Sequence, residues 1–445
     1  MRIVIAGAGE VGSHLARMLS RENHEIVIVC SDENRLKSLS ETSDLLTVKG
    51  SVTSKKLLVE SGVARADLFI AVTPWDDTNI VSAILAKKLG ARLTVARISN
   101  SEPLDIENRD IVADLGIDSL VYPEKIAAGE VVNTIRQSGV TMLVEFSEGR
   151  LSLLAVKMSK NAPVLNKTLA ETGSAYNIEY RAVAIQRNGK TIIPDGDVKF
   201  EPDDVVYVVT NHSGIKDILQ YSGQNQEQMR QVMILGGSHI GKLIAKELGK
   251  GYHIKIFEAD SDRAYQLSDV LNNTLVIHGD GTKVDLLLEE GLRKADAFIA
   301  VTGNSETNII SCLLAKNEGV RHTVAEIENL DYIRIAERLG IDVIINKKLI
   351  AANHIYRFTL SSSVSMFKYL AATGAEVLEF VTPHGSKITS KPLREINFPE
   401  GAIIGGLVRG KTGLIATGEI TIQPDDHVVV FSMPSAINEV SKLFK

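Results

Sequence analysis

Ile3-Val4-Ile5-Ala6-Gly7-Ala8-Gly9-Glu10-Val11-Gly12 decides the fold: an apolar strand runs straight into G-x-G-x-x-G. The next residues, with Leu15, Met18 and Leu19 on one face, open an amphipathic helix, which is the context a dinucleotide-binding fingerprint requires. Each glycine has a mechanical task. Gly7 permits the tight turn, Gly9 lets the backbone approach a pyrophosphate, and Gly12 lets the helix pack on the strand. The helix N-terminus offers its free N–H groups and the positive end of its dipole to phosphates. The stretch then returns: Val232-Met233-Ile234-Leu235 runs into Gly236-Gly237-Ser238-His239-Ile240-Gly241. Leu68-Phe69-Ile70-Ala71-Val72-Thr73 is matched by Ala297-Phe298-Ile299-Ala300-Val301-Thr302, and Asp77-Thr78-Asn79-Ile80 by Glu306-Thr307-Asn308-Ile309. The chain is a duplication.

Outward from the first loop, apolar runs at Ile26 to Cys30, Leu45 to Val48, Leu68 to Val72, Leu93 to Ile98 and Ser119 to Val121 alternate with helical patterns. The helices are expected near Glu33 to Ser40, Ser54 to Ser61, Asn79 to Leu89 and Leu104 to Leu115. Such alternation predicts an α/β fold, a Rossmann-like doubly wound parallel sheet whose ligands belong at the strand C-ends. Pro123 to Ser138 reads as one more amphipathic helix, with proline in its first turn, bridging to the next domain. From Leu143 the texture changes to short runs (Leu143 to Phe146, Leu153 to Val156, Ala182 to Arg187, Thr191 to Ile193, Val205 to Val209). Asn188-Gly189 is a hairpin signal and Glu201-Pro202-Asp203-Asp204 a turn, so a small antiparallel α+β lobe is expected. Polar, aperiodic Ser222 to Gln228 is the linker candidate. The second half repeats the plan, with strands at Val377 to Val381, Leu407 to Arg409 and Val428 to Phe431 and the turn Gln423-Pro424-Asp425-Asp426. The expected division is 1–138 and 229–358 for the large domains, 139–222 and 372–445 for the small lobes.

Composition narrows the function classes. A net charge of -6 over 445 residues, without a Lys/Arg-rich run, argues against nucleic acid, which needs a basic stripe. No apolar run approaches the ~18 residues of a spanning helix, and the N-terminus enters a strand at once. A cytoplasmic chain is therefore expected. Only Cys30 and Cys312 occur, far apart, which supports neither a disulfide framework nor a zinc site, and no metal is expected.

Two dinucleotide-type domains, each followed by a small β-rich lobe, resemble the TrkA family, the cytoplasmic nucleotide-binding subunits of bacterial and archaeal Trk potassium uptake systems. The repeating unit resembles the RCK domain that regulates potassium conductance in many channels. The resemblance rests on the doubled glycine loops, the Ala-Val-Thr loops ending at Thr73 and Thr302, the Thr-Asn pairs after them, and the Pro-Asp-Asp turns of both small lobes. It implies a regulatory subunit that gates a multi-spanning membrane potassium transporter subunit, TrkH-like, from the inner face of the membrane. A ring of such units closes with half as many chains when each chain carries two, so a homo-oligomer, a tetramer with eight units, is expected. The ligands implied are NAD or NADH and ATP or ADP.

The site residues differ between the halves. An acid about twenty residues after the glycines accepts hydrogen bonds from ribose hydroxyls. The second half has Glu258 there, whereas the first has Cys30, with Asp32 the nearest acid. The third strand ends in Gly50-Ser51 and in Gly279-Asp280, where the family usually has Gly-Asp near the adenine. Ser238 replaces the middle glycine of the second loop, and Glu326 stands where the first half has Arg97, a basic position that in the family faces the phosphates. The candidate contacts are thus Gly7, Ala8, Gly9, Glu10, Val11, Gly12, Asp32, Gly50, Ser51, Val72, Thr73 and Arg97 in the first half. In the second they are Gly236, Gly237, Ser238, His239, Ile240, Glu258, Asp280 and Thr302. The first set suits a phosphate-rich ligand such as ATP, ADP or NADH; the second suits a nucleoside held through Glu258 with weaker phosphate contacts, or a largely structural role. No P-loop occurs, and His212, His384 and His427 share no spacing that would build an acid/base centre, so no catalytic residue is expected. Two alternatives stand beside this reading: an NAD(P)-dependent oxidoreductase with duplicated domains, and a regulatory subunit of another cation transport system.

Overall fold

In the computed structural model, which describes residues 1–20, 24–100, 102–104, 114–137, 140–176, 179–224, 229–360, 363–370 and 373–445, the apolar runs of the first half pair in parallel. The strands are β1 (Arg2–Ala6), β2 (Glu25–Cys30), β3 (Leu46–Lys49), β4 (Leu68–Ala71), β5 (Leu93–Arg97) and β6 (Ser119–Val121), in the order β3-β2-β1-β4-β5-β6. Ile3 to Ala6 and Leu68 to Ala71 are wholly buried, because helices cover both faces of a doubly wound sheet. The order reverses between β1 and β4, which opens a crevice beyond their C-ends. Around the sheet run α1 (Glu10–Leu19), α2 (Glu33–Thr42), α3 (Lys55–Glu60) and α4 (Asp76–Leu89), and after β6 comes α5 (Pro123–Arg136). The helix expected at Leu104 to Leu115 lies almost wholly outside the described residues, as does the end of the Ser222 to Gln228 linker.

The first small lobe contains β7 (Met142–Phe146), β8 (Leu151–Lys157), α6 (Leu169–Tyr176), β9 (Tyr180–Arg187), β10 (Lys190–Ile192), β11 (Val205–Thr210) and α7 (Gly214–Tyr221). Its sheet is antiparallel, ordered β10-β9-β11-β8-β7. Asn188 (φ 50°) and Gly189 (φ 74°) form the two-residue turn that matches strand twist.

The second half repeats both layers. Its parallel sheet is β14-β13-β12-β15-β16-β17, from β12 (Gln231–Leu235), β13 (His253–Glu258), β14 (Thr274–His278), β15 (Ala297–Ala300), β16 (His322–Glu326) and β17 (Val343–Ile345). The helices are α8 (His239–Leu248), α9 (Ser261–Val270), α10 (Val284–Glu289), α11 (Ser305–Asn317), α12 (Leu330–Arg338) and, after β17, α13 (Lys347–Tyr356). The last lobe holds β18 (Val364–Leu370), β19 (Ala375–Val381), β20 (Ala402–Arg409), β21 (Thr412–Ile415), β22 (His427–Ser432) and α14 (Ile437–Leu443), with sheet order β18-β19-β22-β20-β21. β18 had no counterpart in the sequence reading: it is an edge strand whose half-buried pattern carries little alternation.

Two compact units emerge. One is Met1–Ala127 with Asn346–Leu360, the other Ala128–Ile345 with Ser361–Lys445. Within the first, α13 packs on α1, although in sequence it comes after the last strand of the second sheet. Within the second, the two small lobes share one core: Phe146, Leu153 and Tyr207 cluster with Leu370, Val377 and Phe431, and the Tyr207 and Phe431 rings lie 6.5 Å apart.

Candidate functional site

The first glycine loop forms where β1 hands over to α1. Gly7 takes φ 112°, in the region only glycine enters without strain, and its N–H bonds Val29 O at 2.9 Å. A Cβ on Gly12 would stand 1.9 Å from Gly7 O, so the third glycine is dictated by packing. Gly9 is different. It caps α1 in ordinary extended backbone, and a Cβ there would meet only Arg35 Nη1, at 3.8 Å. The protein itself therefore does not require a glycine at position 9; the open space lies where a ligand backbone would approach. No side chain caps this helix, so its first N–H groups keep their donors.

The loop after β4 is fixed beside it. Thr73 N and Oγ1 both donate to Asn79 Oδ1, each at 2.7 Å, while Asn79 Nδ2 donates to Thr73 O and to Arg97 O, each at 2.9 Å. Asn79 thereby ties the C-ends of β4 and β5 together. Asp76 adds a second tie, accepting from Ser99 N at 2.8 Å. Val72 closes the floor, its backbone 3.1 Å from a Cβ placed on Gly7. Arg97 stands at the end of β5 and pairs with Glu124 Oε1 at 3.4 Å; its buried Nε has no hydrogen-bond partner. Asn79 and Arg35 were missed as site residues by the sequence reading; Arg35 had a signal, in the spacing Asp32-x-x-Arg35 repeated as Asp260-x-x-Arg263.

Other candidates lie elsewhere. Asp32 caps α2, accepting from Asn34 N and Arg35 N, and its second oxygen lies 3.3 Å from Arg35 Nε. Its counterpart is Asp260, which caps α9 in the same way, rather than Glu258. Gly50 (φ 151°) is required by Leu57, whose Cδ1 would lie 2.1 Å from an added Cβ, and Ser51 Oγ bonds Thr53 Oγ1 at 2.9 Å.

The second loop has the same path with different chemistry. Gly236 takes φ 105°, and Glu258, 7% exposed, accepts from Gly237 N and from Asp260 N, both at 2.9 Å. Ser238 Oγ accepts from Gly241 N at 3.3 Å and so occupies one of the donors a phosphate would use. His239 and Ile240 begin α8 behind it. Thr302 is held by Asn308 as Thr73 is by Asn79, and Asn308 Nδ2 reaches Glu326 O at 2.8 Å. Hydrogen bonds from Thr282, side chain first and then backbone, hold the Asp280 carboxyl below its usual range.

A cavity of about 300 Å³, lined among others by Arg181, Arg394, Phe398 and Ile404, opens in the small lobes and has no glycine-loop residue in its lining. His212 and His384 lie in turns, whereas His427 begins β22, its Nδ1 3.5 Å from Glu379 Oε1. Among the described residues no group of His, Cys, Asp and Glu is placed to hold a metal, and no helix is long and apolar enough to cross a membrane.

The TrkA-N domain model matches residues 3–123 and 232–347, and the TrkA-C domain model residues 153–223 and 377–445. Over its whole length the chain is similar to the Trk system potassium uptake protein TrkA homolog of Archaeoglobus fulgidus, 33% identical over 448 residues and covering 100% of both chains. It is likewise similar to the Trk system potassium uptake protein TrkA of Vibrio alginolyticus, 33% identical, covering 100% of this chain and 99% of that one. Among solved structures, the GsuK RCK domain superposes with a TM-score of 0.63 at 19% identity, covering 100% of this chain and 94% of that one. The GsuK channel bound to NAD gives 0.64 at 18%, covering 100% and 78%. At these identities the structural likeness establishes the fold.

Proposed function

The chain belongs to the TrkA family of Trk potassium uptake proteins, and from that premise we propose that it is a nucleotide-binding regulatory subunit that gates a membrane potassium transporter. The observation that carries the nucleotide part is the first loop: uncapped helix donors, open space over Gly9 and Arg35 beside it, with Arg97 at the C-end of β5. These fit a phosphate-rich ligand, ATP, ADP or NADH. The residues that would hold it are the Gly7 to Gly12 backbone and Arg97; they bind and orient phosphates, with Asn79 positioning the Thr73 loop beside them. The second half supports a nucleoside contact through Glu258, with fewer phosphate donors because Ser238 uses one. A ligand moves a gate only by preferring one arrangement of the protein over another, so this differential affinity bounds the available work. Because each chain carries two units, four chains closing a ring of eight is the assembly we propose at the inner membrane face, on a TrkH-like partner.

Calorimetric titration of ATP and NADH tests the reading. Gly9→Val is expected to abolish most phosphate-dependent binding and to lower thermal stability only slightly, through the poorer helix cap, since a Cβ at this position meets only Arg35 Nη1. Glu258→Ala is expected to retain ATP binding and weaken NADH. Unchanged ATP binding in the Gly9 variant together with its loss in the Glu258 variant overturns the assignment. For assembly, light scattering that finds a stable monomer with and without nucleotide counts against the ring.

A further inference from the structure

Lys348 is the second residue of α13, a helix that comes after β17 in sequence and packs on α1 in the first unit. Its side chain is only 14% exposed, and its ammonium pairs with Glu10, the first residue of α1 and the one directly after Gly9. A cation at a helix N-terminus opposes the dipole, and in α1 it is the Glu10 carboxylate that holds one there. Glu10, 69% exposed, offsets that charge from solvent and forms no part of a core. The arrangement is the one a polyphosphate would complete: free N–H donors at the loop, and beside them a largely buried ammonium paired with an exposed carboxylate.

We propose that Lys348 contacts the distal phosphate of a nucleotide seated on the Gly7 to Gly12 loop, exchanging Glu10 for the ligand, and so discriminates nucleotides by their number of phosphates. This rests on the first loop being the nucleotide site. The two halves differ here in charge: His239 stands where the first loop has Glu10, and Glu124, which pairs with Arg97, stands at the position of Lys348 after the other sheet. The chain passes from β17 through Asn346 directly into α13, so the first site is finished by a segment that belongs, in sequence, to the second half. Occupancy of that site fixes the N-terminal end of α13, and Glu10 acts as the placeholder released when the phosphates arrive.

The test is calorimetry of ATP, ADP and AMP against the full chain and its variants. Lys348→Ala is expected to weaken ATP about tenfold, the loss of one charge-assisted contact, with a smaller effect on ADP and none on AMP. Glu10→Gln, at an exposed position that leaves folding intact, is expected to tighten ATP and leave AMP unchanged. Lys348→Arg is expected to restore most of the ATP preference. In a Gly9→Val background the Lys348 substitution is expected to add nothing, since the ligand both contacts share is gone. If the wild type binds ATP and both Lys348→Ala and Glu10→Gln leave the ATP-to-AMP ratio unaltered, the proposal is wrong and the pair is structural. If the wild type binds none of the three nucleotides, the nucleotide reading of the first site fails and this proposal falls with it.

Discussion

Ala8 and Gly237 occupy the same step of their loops, and the residue facing them decides which is allowed. A Cβ on Gly237 would sit 2.3 Å from Leu267 Cδ1 and 2.8 Å from Glu258 Oε2, so the bond from the loop N–H to the carboxylate demands glycine. Ala8 is 2% exposed in the first loop, and the position matching Glu258 holds Cys30, too short to make such a bond. The missing acid and the extra methyl are thus one change written at two positions. Cys30→Glu alone is expected to cost about 2 kcal/mol, as an overpacked and poorly solvated carboxylate. Adding Ala8→Gly is expected to recover most of that cost, with a coupling of about 1 kcal/mol or more in a double-mutant cycle monitored by chemical unfolding. Simple additivity of the two changes would remove the argument.

At the scale of elements, both small lobes are closed by the same buried ion pair. Arg187, at the end of β9, donates from Nε and Nη2 to the two oxygens of Asp204 at 2.8 and 2.7 Å, and Arg409, ending β20, does so to Asp426 at 2.9 and 2.7 Å. The aspartates are 1% exposed, and each also accepts from the backbone of its own turn, Glu201 N and Gln423 N. The Asn188-Gly189 hairpin and the two Pro-Asp-Asp turns are legible in the sequence as separate signals. That hairpin and turn are the two ends of one bidentate contact is visible only once β9 lies beside β11 and β20 beside β22. Asp204→Ala leaves a partly buried guanidinium without its partner and is expected to destabilise the lobe by about 3 kcal/mol, read as a lower urea midpoint. An unmoved midpoint would show the pair to be dispensable. The same limit applies to Asp118 and Asp342, which each gather a lysine and a threonine, Lys87 with Thr94 and Lys316 with Thr323. Nothing local in the sequence distinguishes them from exposed acids.

For the whole molecule, each compact unit holds a histidine kept neutral by burial. Burial, with Arg357 adding to it, pushes His354 of α13 down to about 4, and burial likewise lowers His322 in β16. The unfolded chain takes up these protons near about pH 6.5, the folded chain only lower, so folding excludes protons across that window. Stability is therefore expected to be full above about pH 6.5 and to fall as pH drops toward about 4, by at most about 3 kcal/mol for His354. Denaturant midpoints measured through that range check the sign, and His354→Gln is expected to flatten the slope; parallel curves for the two proteins would exclude His354 as its source. What the sequence determined by itself is the duplication, the parallel doubly wound sheets, the glycine loops and the antiparallel lobes, because these arise from apolar periodicity and turn residues within a few tens of positions. Only the tertiary structure decided that Asp32 is a helix cap, that Asn79 locks the Thr73 loop, that the small lobes share one core, and that α13 brings Lys348 to Glu10. Those are choices of partner through space, and a charged or apolar side chain carries no mark in its own neighbourhood of the chain to say which distant group will meet it.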